Sequence, residues 1–140
     1  MDKLFLDTNI ILDLIEERAP FYIHAQQIFS KSDKHKIGLC TSSLNFANLH
    51  FIITKKSSKE NAVNILLKLK TLIEVLPLDD KVIHLALASD FRDFEDAIQY
   101  YTAIENNISI LITRNLKDFK KTDISVMTAE QYLGAGRILD

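Results

Sequence analysis

Short β-prone runs separated by longer helical stretches constrain this chain most. Leu4-Phe5-Leu6 and Ile108-Ser109-Ile110-Leu111-Ile112 are apolar runs of strand length. Such runs, rich in β-branched and large apolar side chains, read as buried strands. Strands are predicted at Lys3 to Leu6, Ile37 to Thr41, Thr71 to Leu76, Ser109 to Thr113 and Ser125 to Met127. Helices are predicted between them: Ile10 to Glu17, Pro20 to Ser32, Ser42 or Ser43 to Lys55, and one starting at Ser57 or Ser58. Three more follow, from Asp79 through Ala88, from Asp93 to Asn106, and from Thr128 to Leu133. Pro20 is placed in a helix first turn, where its missing N–H costs nothing. This β-α alternation predicts an α/β fold, a parallel sheet covered by helices on both faces.

At 140 residues the chain is expected to form a single domain, 1–140, with one substantial core. No apolar stretch is long enough to span a bilayer. Met1-Asp2-Lys3 leads into a strand without a signal-peptide pattern. A single cysteine, Cys40, excludes an internal disulfide and sits in an apolar run that reads as core. The cytoplasm is the expected compartment. A net charge of −2 does not suggest a generic nucleic-acid binder, so a phosphate-bearing partner needs local cations or a bound metal. Three glycines and the lack of GxGxxG or GxxxxGK(S/T) argue against a Rossmann cofactor site or a P-loop. Scattered histidines argue against zinc. Gly134-Ala135-Gly136-Arg137 is the one flexible-looking stretch.

Asp7-Thr8-Asn9 stands where the first strand breaks into a helix. In open α/β sheets, ligand sites gather at the carboxyl ends of parallel strands. Asp93 and Asp96 open the helix before the fourth strand, three residues apart and on one flank. The core stripe of that helix is read as Phe94, Ala97, Ile98, Tyr101 and Ile104. Thr113-Arg114-Asn115-Leu116-Lys117-Asp118-Phe119 leaves the fourth strand. If strands one and four are central neighbours, Asp7, Asn115 and Asp118 emerge on one edge, within reach of Asp96. Three carboxylates in one cleft repel unless a cation is present, and an all-oxygen set suits Mg²⁺ or Mn²⁺. Each acid has a plainer role: Asp7 and Asp93 as helix caps, Asp96 as a dipole-favoured acid, Asn115 and Asp118 as turn residues. The helix from Leu44 to Ile53 reads as apolar almost all round and buried on most sides. Asn48 on it faces either the cleft or backbone, with Asn45 a weaker candidate. Arg114, Lys117, Lys120 and Lys121 are surface cations, a subset of which can hold phosphate.

These segments, in this order and at these strand ends, resemble a PIN domain, closest to the bacterial VapC-like branch. Arg18-Ala19-Pro20-Phe21 and Glu95-Asp96-Ala97-Ile98-Gln99-Tyr100 are similar to stretches of that branch, and the likeness covers nearly the whole chain. The resemblance implies a three-layer α/β/α sandwich with a mostly parallel central sheet of four or five strands. It implies a dimer that cleaves RNA with Mg²⁺ or Mn²⁺, as the toxin of a toxin–antitoxin pair. Asp7 and Asp96 would be metal ligands, and Asp118, or Asn115 beside it, would complete the shell. Thr8 or Asn9 would steady the Asp7 loop, and Thr113 would do so across the cleft. Such nucleases commonly carry a glutamate where this chain has Asn48, and no acid lies between Asp33 and Glu60. That departure keeps open a second reading, a degenerate PIN fold that binds RNA or a protein partner without cleaving.

Overall fold

The computed structural model describes residues 1–119 and 122–139. Five strands form one all-parallel sheet in the order β3-β2-β1-β4-β5: β1 Asp2–Leu6, β2 Ile37–Ser42, β3 Glu74–Leu76, β4 Ile110–Ile112 and β5 Ser125–Met127. Strand β1 is central, pairing with β2 on one side and β4 on the other. Successive side chains on a strand face opposite ways. Leu4 and Leu6 therefore enter one core and Phe5 the other.

The first core packs β1 against five helices: α1 Thr8–Ile15, α2 Tyr22–Asp33, α3 Ser43–Lys56, α4 Lys59–Leu69 and α7 Ala129–Leu139. The second holds Phe5, Cys40, Leu111, Tyr100 and Phe119 under α6 Phe94–Glu105. Helix α5, Asp80–Leu87, packs beside α6 through Val82, Ala86, Ala97 and Ile98. The result is a three-layer α/β/α sandwich. Side-chain caps start α3, α4 and α5 where the sequence places them. Ser42 accepts from the Asn45 amide at 3.0 Å, Ser58 from Asn61 at 3.0 Å and Asp79 from Val82 at 3.1 Å. Among the described residues, no helix is long and apolar enough to cross a membrane.

Four expectations need correction. Pro20 lies in a turn before α2 and follows a cis Ala19–Pro20 bond, so it is not inside the helix. Helix α3 is not buried on most sides: only Asn45, Leu49 and Ile53 are, because it covers the sheet along one face and leaves Phe51 61% exposed. On α6 the inward arc runs through Ala97, Ile98, Gln99, Tyr100, Thr102 and Ala103, while Phe94 is exposed. Packing against both the sheet and α5 widens that arc beyond a single apolar stripe. The stretch from Gly134 to Arg137 continues α7 rather than leaving it. Lys120 and Lys121 lie outside the described residues.

Candidate functional site

Asp7 ends β1 at the sheet's centre, and its backbone N–H donates to Ile112 of β4 at 3.0 Å. Its side chain caps α1. Oδ1 accepts from the Thr8 amide at 2.7 Å, and Oδ2 accepts from Thr113 Oγ1 at 2.8 Å. Thr113 is fully buried just past β4, and its Oγ1 also accepts from the Asn115 amide at 3.1 Å. Both carboxylate oxygens of Asp7 are thus aimed by fixed donors.

Beneath the cleft lies a closed polar network. Thr8 Oγ1 donates to Asn45 Oδ1 at 2.7 Å. Asn45 Nδ2 donates to Gln99 Oε1 at 2.9 Å, and Gln99 Nε2 returns a bond to Asn45 Oδ1 at 2.7 Å. Ser42 Oγ donates to Gln99 Oε1 at 3.0 Å, and Asn45 Nδ2 also reaches Thr41 Oγ1 at 2.8 Å. Buried amides need such partners. The network pins α1, α3 and α6 to one point below Asp7.

The cavity above is lined by Asp7, Thr8, Asn9, Asn45, Asn48, Phe51, Asp93, Glu95, Asp96, Gln99 and Asn115, with Leu12 and Ile52 beside them, and has a volume of about 380 Å³. No lysine, arginine or histidine is among its lining residues. Asp93 is the N-cap of α6, accepting from the Asp96 amide at 3.0 Å. Asp118 lines the adjoining cavities with Arg92 and Lys117, and it accepts a hydrogen bond from Asn115 Nδ2. Arg114 belongs elsewhere. Its Nε lies 3.2 Å from Asp13 Oδ2, and its guanidinium stacks over Phe21 at 4.0 Å, both lining a separate pocket.

Burial raises the Asp7 carboxyl above its ordinary value, with Asp93 adding to the effect, while Thr113, Thr8 and Arg114 oppose it. Burial, then the charges of Asp93, Asp7 and Asp118, push Asp96 up to about 7. The four acids therefore share one electrostatic field. Among the described residues no cation lines the cavity to meet that negative charge, and the carboxylates and amides offer oxygen, so the residues fit a hard divalent ion. Among the described residues, no three acidic, cysteine or histidine side chains already converge as a cage. An ion here would keep waters in its shell. Cys40 is buried and donates to Leu4 O at 3.4 Å, and burial raises its thiol to about 12, which removes it as a nucleophile.

Asn45, Gln99 and Phe51 are the cavity residues that sequence reasoning underrated or missed. Gln99 stands three residues after Asp96, on the same flank, and that spacing was the available signal. Phe51 follows Asn48 by three in the same way.

A PIN-domain family profile matches residues 3–117, and the chain belongs to the PIN-domain family. A relative from Aquifex aeolicus, "Ribonuclease VapC1", is 26% identical over 136 residues, spanning 94% of this chain and 93% of that protein. Among solved structures, a toxin–antitoxin complex from Klebsiella pneumoniae superposes with a TM-score of 0.69 at 22% identity, over 90% of this chain and 97% of that one. VapBC-1 from nontypeable Haemophilus influenzae gives a TM-score of 0.68 at 20% identity, over 91% and 98%. At these identities the structural likenesses establish the fold.

Proposed function

We propose that the protein is a metal-dependent endoribonuclease of the VapC type, acting in the cytoplasm as the toxin of a toxin–antitoxin pair. One observation carries this reading. At the carboxyl end of the central strands, Asp7 and Asp96 line one cavity and Asp118 is hydrogen-bonded to its Asn115, and burial followed by the charges of Asp93, Asp7 and Asp118 pushes Asp96 up to about 7. The relative named a ribonuclease and the toxin–antitoxin neighbours support it.

Asp7, Asp96 and Asp118 would hold Mg²⁺ or Mn²⁺, with Asn48 and Asn115 offering amide oxygens. Such an ion neutralises charge building on the phosphodiester and lowers the pKa of water. The chain's own residues do the positioning. Thr113 and the Thr8 amide fix the two oxygens of Asp7. Asn9 lines the cavity beside them, and Asp93 holds the first turn of α6, which carries Asp96. Lys117, beside Asp118, is the better phosphate contact, because Arg114 is committed to Asp13. A homodimer through the exposed Val63 and Leu67 of α4 and an antitoxin partner complete the proposal.

Cleavage of RNA by the wild-type protein in Mg²⁺ or Mn²⁺, lost in Asp7→Asn and in Asp96→Asn, is the expected result. A folded protein inert toward RNA with either ion sinks the reading. Asn48 favours a second one. It faces the cavity at the position where the family resemblance implies a glutamate, and a cleft one carboxylate short can bind RNA or a protein partner without cleaving. Micromolar Mn²⁺ binding that depends on Asp7 counts against that alternative.

A further inference from the structure

We propose that Phe51 and Lys55 form a nucleobase-stacking platform at the rim of the carboxylate cleft, seating one unpaired nucleotide beside the scissile phosphate. This rests on the nuclease reading above and names what selects its substrate. Helix α3 turns Asn45, Asn48 and Phe51 toward one cavity, which they line together with Asp7 and Asp96. Phe51 is nevertheless 61% exposed. The Lys55 ammonium lies over its ring, 4.9 Å from the centroid. An aromatic face with a cation beside it is the pairing that holds single-stranded nucleic acid. The base stacks on the ring, and the ammonium meets the phosphate.

Charge makes a rim contact necessary. Among the described residues the lining holds four carboxylates, of Asp7, Asp93, Glu95 and Asp96, and no basic side chain, so without a bound ion its floor repels a polyanion. Affinity must come from its edges. Arg92 and Lys117 flank Asp118 in the adjoining cavity, and Phe51 with Lys55 belongs to α3. Together they give a chain of cation, acids, then aromatic and cation, suited to a strand laid across the acids. A second copy of this chain is the competing occupant. Val63 and Leu67 on α4, which do not line the acidic cavity, suit that role better.

The test is steady-state cleavage of a short single-stranded RNA in Mn²⁺, with each nucleotide near the cut replaced in turn by an abasic ribose. Wild type should lose roughly tenfold in KM at one abasic position, the size expected of one base–aromatic stack. Phe51→Ala should show that loss on the intact RNA, with no further loss at that position and kcat changed by less than about twofold. Phe51→Trp should restore the wild-type KM. Abasic and Phe51→Ala losses that add in full overturn the platform, as does an unchanged KM in Phe51→Ala. Analytical ultracentrifugation of Phe51→Ala checks the competing occupant: loss of self-association alongside full additivity assigns the face to a second copy and overturns the proposal. A wild-type protein that cleaves no intact RNA overturns the nuclease reading, and the platform with it.

Discussion

Asn45 of α3 and Gln99 of α6 form a reciprocal amide pair, each donating to the other, at 2.9 and 2.7 Å. Both are buried, and the pair joins helices from the two layers across the end of the sheet. Replacing one partner strands the other. Asn45→Ala should therefore cost about 2–4 kcal/mol, combining two or more lost bonds with unsatisfied buried groups. Urea unfolding measures it. A loss under about 0.5 kcal/mol would mean that water fills the gap.

Thr113 is predicted to act on activity as well as on folding. Its hydroxyl aims Asp7 Oδ2 and does not line the cleft itself. Thr113→Val keeps shape and removes this bond together with the one that Oγ1 accepts from the Asn115 amide. RNA cleavage should fall about tenfold to a hundredfold, as for other residues that orient a ligand, with a smaller loss in Thr113→Ser. Equal activity in Thr113→Val and wild type refutes this orienting role.

How much of this was legible in the sequence differs between backbone and site. The strand positions follow from short apolar runs, whereas their order in the sheet comes from the structure, and Asp7, Asp96 and Asn115 fall at the ends of strands and helices. Those are local signals. The burial of Gln99 and Asn45 is not local: each amide is buried because the other, 54 residues away, satisfies it. Arg114 fails for the same reason. As one residue in a basic turn it reads as a phosphate contact, and only the packing of α1 beneath it reveals Asp13 as its partner. Phe51 was misread in the opposite sense, because an apolar helix looks buried until the sheet it covers proves narrower than its circumference.

Asn48 tests whether the cleft lacks a ligand. Asn48→Glu places a carboxylate in the cavity that Asp7 and Asp96 line. Without metal it should lower stability by about 1 kcal/mol through like-charge repulsion, and with metal it should tighten Mn²⁺ binding about tenfold. Titration calorimetry and thermal melts, with and without Mn²⁺, read both effects. Weaker Mn²⁺ binding in the variant would place Asn48 outside the metal's shell.

Without metal, stability should fall as pH rises toward neutrality. Asp96 sits at about 7 in the fold against an ordinary 3.8. The folded chain thus holds a proton that the unfolded chain releases. That contribution is complete below the ordinary value and is lost as pH rises from 3.8 through about 7. Asp7 and Asp13, also raised, act in the same sense, whereas Glu16 is lowered, so its contribution is present above its ordinary 4.5 and is lost only as pH falls below that value. Melts in EDTA between about pH 5 and about pH 8 should show Tm declining, and Asp96→Asn should flatten the decline. A Tm that climbs over that range contradicts the assignment.

Arg114 is predicted to hold the fold rather than the substrate. Asp13 is 1% exposed, its Oδ1 has no hydrogen-bond partner, and its Oδ2 faces Arg114 Nε at 3.2 Å. Burial raises the Asp13 carboxyl, and Arg114 and then Arg18 oppose that rise. Removing the guanidinium alone leaves a buried carboxylate without its main counter-charge. Arg114→Ala should cost about 3–5 kcal/mol, partly through lost stacking on Phe21. Asp13→Leu placed on top should recover much of that loss, because the orphaned charge disappears with it. A phosphate contact behaves differently: Arg114→Ala would leave stability intact, weaken RNA binding and reduce its salt dependence. Urea unfolding of the single and double variants, beside RNA binding at two salt concentrations, separates the two roles.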